Sequence, residues 1–259
     1  MNAEREAIRL LVRTREDFQD MRKSLDNRMG KKADGVQQNI EKRELLNLPF
    51  LEDTRNIIII QEKEIEKRLK NILKTIPIYN DFLAKVKGVG ISMASWIIAE
   101  YDIKEATTVS KMWQYTGLNP GLIRGKKIIK KKNNDIIVET DELLRGDKRK
   151  SGYVNQFNGK LRTKMLGVLA VEFIKLKTDY AHNHYCPYKA RLEQSDNIIT
   201  GGDGKKWKET SAGHRNNAAK RYMLKMFFKD LYVAWRTLEG LPVRKPYSEE
   251  YLNKKHVAT

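Results

Sequence analysis

Apolar residues recur at intervals of three and four through the first part of the chain, at Ile8, Leu11, Val12, Phe18, Met21, Leu25 and Met29, with charged residues between them. That period predicts an amphipathic helix. Leu11, Phe18 and Leu25 also repeat at every seventh position, and Gly30 and Gly35 break the pattern. A second helix is predicted from near Pro49. Leu51, Ile58, Ile65 and Ile72 again repeat at every seventh position, Leu69, Leu73 and Ile76 widen the stripe, and Pro77 closes it. Both stripes read as coiled-coil seams. Three arrangements satisfy them: a hairpin folded back on itself, pairing with a second copy into a homo-dimer or tetramer, or packing on the rest of the protein.

The period then changes. Tyr79 to Tyr101 reads as helix, tight turn, helix, and Ser110 to Tyr115 as a short helix. Gly117, Asn119, Pro120 and Gly121 form a loop. Residues 122–150 are charged and irregular, with two short strands at Ile128-Ile129 and Ile136-Ile137-Val138 around Asn133-Asn134-Asp135. Helical spacing returns from Leu161 to Lys177, and residues 197–213 read as a Gly-rich loop. A last helix runs from about His214 to Leu238, with Ala219, Met223, Met226, Phe227, Leu231, Ala234 and Leu238 on its apolar face. Gly240 and Pro242 end it. The expected fold is mostly α: a coiled-coil helical hairpin over 1–77, then a helical domain over 78–259. That domain contains a helix-hairpin-helix element at about 80–101, a basic insertion with a small β-hairpin at 122–150 and a carboxy-terminal helix at about 214–239.

Composition adds a partner. Across 259 residues, 51 Lys and Arg face 33 Asp and Glu, a formal net charge of +18, while 40% of residues are hydrophobic. The chain is long enough to bury a core without disulfides or metal. So large a cationic excess calls for a polyanion. Nucleic acid is favoured, because each phosphate contact releases counterions; an anionic membrane surface is the rival, and a merely basic soluble protein the bland alternative. The lone Cys186 excludes an intrachain disulfide and fits a reducing compartment. No apolar run of spanning length and no secretory signal are present in the sequence.

Several motifs fit phosphate. Val86-Lys87-Gly88-Val89-Gly90-Ile91-Ser92-Met93-Ala94 resembles a helix-hairpin-helix turn, in which glycines bend the chain and aim free N–H groups and a helix N-terminus at a backbone phosphate. Lys87, Gly88, Val89, Gly90 and Ser92 are its candidate contacts; an ordinary core turn is the alternative. Arg124, Lys126, Lys127, Lys130, Lys131 and Lys132 form an acid-free run on the expected β-hairpin. In the stretch from Arg145 to Tyr153, Ser151 sits beside Arg149 and Lys150, with Lys160, Arg162 and Lys164 following. A serine attacking phosphorus needs such cations, although a plain loop serine fits the same residues. On the last helix Arg221, Lys225 and Lys229 are spaced by four and share one face, with Arg215 ahead of them.

Metal chemistry has little support here. His182, His184 and Cys186 are spaced like ligands but lack a completing group, with His214 the one candidate to join them. Asp135, Glu139, Asp141, Glu142 and Asp147 lack the regular placement of a two-metal nuclease site. No metal site and no cofactor are assigned to the chain itself.

Gly88-Val89-Gly90 with Ala94, followed by Met112-Trp113-Gln114-Tyr115-Thr116-Gly117-Leu118-Asn119-Pro120, resembles the carboxy-terminal domain of transposases of the insertion-sequence 110/116/902 family, the group that includes the Piv and MooV DNA invertases. Asn158 to Lys164, Ala212 to Arg221, Leu231, Trp235-Arg236 and Glu239 to Tyr247 resemble its later blocks. Arg13 to Arg28 resembles the helical segment ahead of that domain.

The resemblance implies a DNA-binding recombinase of a mobile element in the prokaryotic cytoplasm or nucleoid. It implies a serine nucleophile that joins covalently to DNA, and an element-encoded guide RNA. It also implies magnesium held by four acids of a RuvC-like amino-terminal domain. Two departures stand out. No RuvC-like acid set is found, so magnesium enters only if another polypeptide supplies that domain. No serine follows Pro120 closely, which moves the nucleophile role to Ser151, with Arg149, Lys150 and Arg162 neutralising the phosphate. A non-catalytic helix-hairpin-helix DNA- or RNA-binding accessory protein is the alternative.

Overall fold

A computed structural model describes residues 2–30, 48–131, 134–199 and 204–245. The described residues are mostly helical with one small antiparallel two-stranded sheet among them. It divides into two compact units, one of residues 1–80 with 90–100 and one of 81–89 with 101–259.

The first unit is built on α1 (Asn2–Arg28) and α2 (Leu48–Leu73). The seam folds back within the chain. Arg15 meets Glu66 at 3.2 Å, Arg22 meets Glu62 at 2.7 Å, and Asp26 accepts from Arg55, so partners descend on α2 as they ascend on α1, an antiparallel pair. Ile58, Ile65, Leu69 and Leu73 are buried on α2, but on α1 the buried positions are Ile8 and Val12, while Leu11, Phe18 and Leu25 are only partly covered. The cause is a third helix, α4 (Ile91–Glu100), packed on both. Its Met93, Ala94, Trp96, Ile97, Ile98 and Ala99 are all buried, as expected of a helix apolar on every side. The Arg9 guanidinium donates to the Ala99 carbonyl at 3.0 Å and Arg13 reaches Glu100 at 3.6 Å, so cations meet the negative end of α4.

Between α2 and α4 the chain forms a short helix, α3 (Pro77–Asp81), and a single 3-10 turn at Leu83–Lys85. The continuous first arm expected of a helix-hairpin-helix is therefore broken at Phe82.

In the second unit the order is α5 (Val109–Tyr115), β1 (Leu122–Ile129), β2 (Ile136–Arg145), α6 (Gly159–Lys164), α7 (Ala170–Lys175), α8 (Cys186–Gln194) and α9 (Ala212–Leu238). The hairpin expected within residues 122–150 is present and its strands are longer than the short ones expected, with a register shift between Arg124 and Lys126. A third segment lines its other edge: Ile128 N–H donates to Gly152 and Val154 N–H to Lys126, each at 2.8 Å. A π turn at Met165–Leu169 joins α6 to α7, and another at Ala181–Tyr185 leads into α8.

α9 is the axis of this unit. The Ser211 side chain accepts from His214 N–H at its start, and Gly240, with φ +65, ends it. Met223, Leu224, Phe227, Phe228, Leu231, Tyr232 and Trp235 are buried, whereas the expected core residue Leu238 is exposed. Phe227 meets Phe173, Tyr180 and Phe228 edge-on, with centroids 5.3 to 5.6 Å apart. Buried Arg236 is satisfied by carbonyls, donating to Ile103, Ala106 and Pro242.

Candidate anion-binding site

In the second unit, residues far apart in sequence bring several cations around one carboxylate. Asp147 lies in the turn after β2, one residue beyond Gly146. Gly146 N–H donates to the Gly121 carbonyl at 2.9 Å, and a Cβ on Gly146 would sit 3.1 Å from the Asn119 carbonyl oxygen. This close backbone approach pins the end of β2 to the loop after α5. Arg145 then grips Asp147 with two hydrogen bonds, at 3.0 and 3.1 Å, and Asp147 is only 6% exposed.

α6 supplies the next cation. Its N-cap Asn158 accepts from Leu161 N–H at 3.0 Å, and Asn158 N–H donates to Tyr115 at 2.8 Å, fixing α6 against the end of α5. Arg162 thereby donates to the Gly117 carbonyl, with its guanidinium 5.1 Å from the centre of the Phe157 ring. Gly117 has φ +69, and a Cβ there would lie 2.8 Å from both Arg162 and Phe157. Glycine is needed on both counts.

Arg221 and Lys225 come from α9. The Lys225 ammonium lies 5.1 Å from the centre of the Trp113 ring, while the Trp113 indole N–H donates to the Lys225 carbonyl at 3.1 Å. The Arg221 guanidinium makes no hydrogen bond or ion pair among the described residues. Both residues are partly buried, so two of the three cations expected on one face of this helix are not on a fully solvated surface. Lys229, the third of the series, lies instead within the field of His184 and Tyr222.

Electrostatics link these groups. Burial pushes the Lys225 amine down to about 8; Arg221 adds to the fall and Asp147 opposes it. Burial lowers Arg221, with Asp147 opposing and Arg162 and Arg145 reinforcing. Arg162 is lowered by burial, again against Asp147 and with Arg145. His214 is lowered by burial, then by Arg221, Arg145 and Lys148. Three arginines and one lysine thus surround one acid, and Arg145 already occupies that acid. Such a surplus in a partly desolvated place is costly until an anion arrives.

The other sequence-predicted residues fall elsewhere. In the turn, Lys87 is exposed, but Val89 is buried and its N–H is spent on the Val86 carbonyl at 3.0 Å. Gly88 has φ +93, and a Cβ there would meet the Phe173 ring at 2.9 Å. Gly90 is exposed with open space around it, and the Ser92 hydroxyl lies 3.5 Å from Arg15. Gly88 and Val89 therefore serve packing in their own unit, a role the Gly-x-Gly spacing alone cannot distinguish from phosphate contact.

On the hairpin, Arg124, Lys126, Lys127, Lys130 and Lys131 are exposed, Lys126 pairing with Glu139 at 3.1 Å; Lys132 lies outside the described residues, as do Gly35 and Tyr247. Ser151 is exposed in a turn, and among the described residues its hydroxyl makes no hydrogen bond. The cations expected around it are engaged apart: Lys150 binds Glu142, Arg149 lies against Gly159, and Arg162 faces Gly117. Arg215 donates to the Thr210 carbonyl ahead of α9, a local tie. Lys160 is exposed and Lys164 half-buried on α6, both engaged with neighbours.

Sequence reasoning passed over Arg145, Asp147, Trp113 and Phe157 as parts of one site. The available signal was the close spacing of Arg145 and Asp147 across Gly146, at the turn that follows β2. Among the described residues no group of three or more His, Cys, Asp or Glu is placed to hold a metal ion, and Cys186 is an exposed free thiol. No described helix is long and apolar enough to cross a membrane. No protein-family model, curated protein or solved structure matches the chain.

Proposed function

We propose that the protein binds the phosphate backbone of nucleic acid, with DNA of a mobile element as the partner that the resemblance to insertion-sequence transposases suggests. The observation that carries this reading is the cluster of Arg162, Arg221 and Lys225, whose neighbouring carboxylate, Asp147, is already held by Arg145. Phosphate oxygens supply the missing acceptors, and charge-assisted bonds to arginine are among the strongest available. The exposed lysines of the β-hairpin extend the positive surface along a strand and contribute backbone contacts without reading sequence.

Binding without catalysis is favoured over the recombinase reading by the state of Ser151. Its hydroxyl has no hydrogen-bonded base among the described residues, and Lys150 beside it is neutralised by Glu142. A titration of a labelled 5′-phosphorylated duplex tests binding: the triple variant Arg162→Met, Arg221→Met, Lys225→Met is expected to lose most of the affinity, and unchanged affinity contradicts the proposal. A denaturing gel separates the two readings, since a protein–DNA adduct that disappears in Ser151→Ala supports the recombinase.

A further inference from the structure

The exposed hairpin lysines are enough to hold an internal phosphodiester, which carries one negative charge and passes along a surface. The second-unit cluster is a different kind of receptor. Four formal positive charges, on Arg145, Arg162, Arg221 and Lys225, stand against one negative charge on Asp147, which leaves a surplus of three in a partly buried place. The free donors are also held in position. Arg162 is fixed by the Gly117 carbonyl and the Phe157 ring, and Lys225 by the Trp113 ring, supports that orient a cation without neutralising it. Arg221 stands with no partner among the described residues.

We infer that Arg162, Arg221 and Lys225 form a seat for a terminal phosphate monoester, the phosphorylated end of a nucleic-acid strand. This rests on the phosphate-binding reading above and narrows it. A terminal phosphate carries close to two negative charges at neutral pH and offers three unsubstituted oxygens. Three cations from α6 and α9 offer donors for such oxygens, and the dianion offsets most of the surplus. An internal phosphodiester has two oxygens blocked by ester links and offsets only one charge.

The full-length protein is titrated with labelled single strands of one sequence carrying either a 5′-phosphate or a 5′-hydroxyl, with a 3′-phosphorylated strand as a third probe. A strand ending in phosphate is expected to bind about tenfold more tightly or better, the size of one charge-assisted hydrogen bond or more. That preference is expected to vanish in Arg221→Met and in Lys225→Gln, with folding of each variant checked by circular dichroism. Equal affinity for phosphorylated and hydroxyl ends, with binding still salt-dependent, overturns the seat and leaves backbone binding standing. A preference that survives in both folded variants overturns its placement at this cluster. No binding of any strand overturns both readings.

Discussion

Arg145 and Asp147 are joined by two hydrogen bonds of 3.0 and 3.1 Å, and this pair takes up the carboxylate nearest Arg162, Arg221 and Lys225. Asp147 therefore keeps the cluster folded while leaving its other cations available. Asp147→Asn is expected to destabilise the protein by about 2–4 kcal/mol, because it leaves Arg145 partly buried without its counter-ion. Inorganic phosphate in the millimolar range should restore part of the loss by binding the folded state. Urea denaturation with and without phosphate measures both effects.

Lys225 gives the cluster a pH dependence with a defined sign. Its pKa falls from 10.5 to about 8 on folding. Between those values the unfolded chain holds a proton that the folded chain has released, so this residue's contribution to stability improves as pH rises from about 8 to 10.5. The full cost of its charge, about 3 kcal/mol, is present below that window. A bound anion favours the protonated amine, so affinity for a phosphorylated strand should be full near pH 7, where the monoester is largely a dianion, and decline above pH 8. Lys225→Arg, which stays charged, should flatten that decline. Titrations at pH 7 and pH 9.5 on both proteins check it.

The turn at Gly88-Val89-Gly90 separates packing from binding by position. Gly88→Ala is expected to cost about 2–4 kcal/mol, because φ is +93 and the new methyl would meet Phe173 at 2.9 Å. Gly90→Ala has open space and should leave the melting temperature within a degree or two of the wild type, since surface changes of this kind are worth about 0.5 kcal/mol or less. Thermal melts of the two variants decide the point. A Gly90→Ala protein that melts normally but binds DNA weakly would restore a phosphate role to the exposed half of the turn.

Much of the fold was legible because it depends on local period. The seams through Ile58 and Ile65, the hairpin about Ile129 and Ile136 and the cap at Gly240 all follow from spacing and turn chemistry. The shift of the α1 core toward Ile8 and Val12 was not legible, because it depends on α4 arriving from later in the chain. The π turns at Met165–Leu169 and Ala181–Tyr185 leave no mark in hydrophobic period. For the site, charge runs drew attention to Lys126 through Lys131, which are solvated. The cations grouped about Asp147, namely Arg162, Arg221 and Lys225, come from two helices and converge only through folding. A four-residue spacing shows that Arg221 and Lys225 share a face, but not that the face meets Asp147 and Trp113.

Arg221 tests the central claim most directly, because among the described residues it has no hydrogen-bonded or ion-paired partner to lose. Arg221→Met should fold about as well as the wild type, since it removes a partly buried charge that no described residue pairs with by a hydrogen bond or ion pair. The decisive measurement is affinity for a 5′-phosphorylated duplex over a range of salt concentrations, in both proteins. If the cluster holds phosphate, the variant binds more weakly, and its plot of log affinity against log salt is shallower by about one. Superimposable lines for the two folded proteins would contradict the claim.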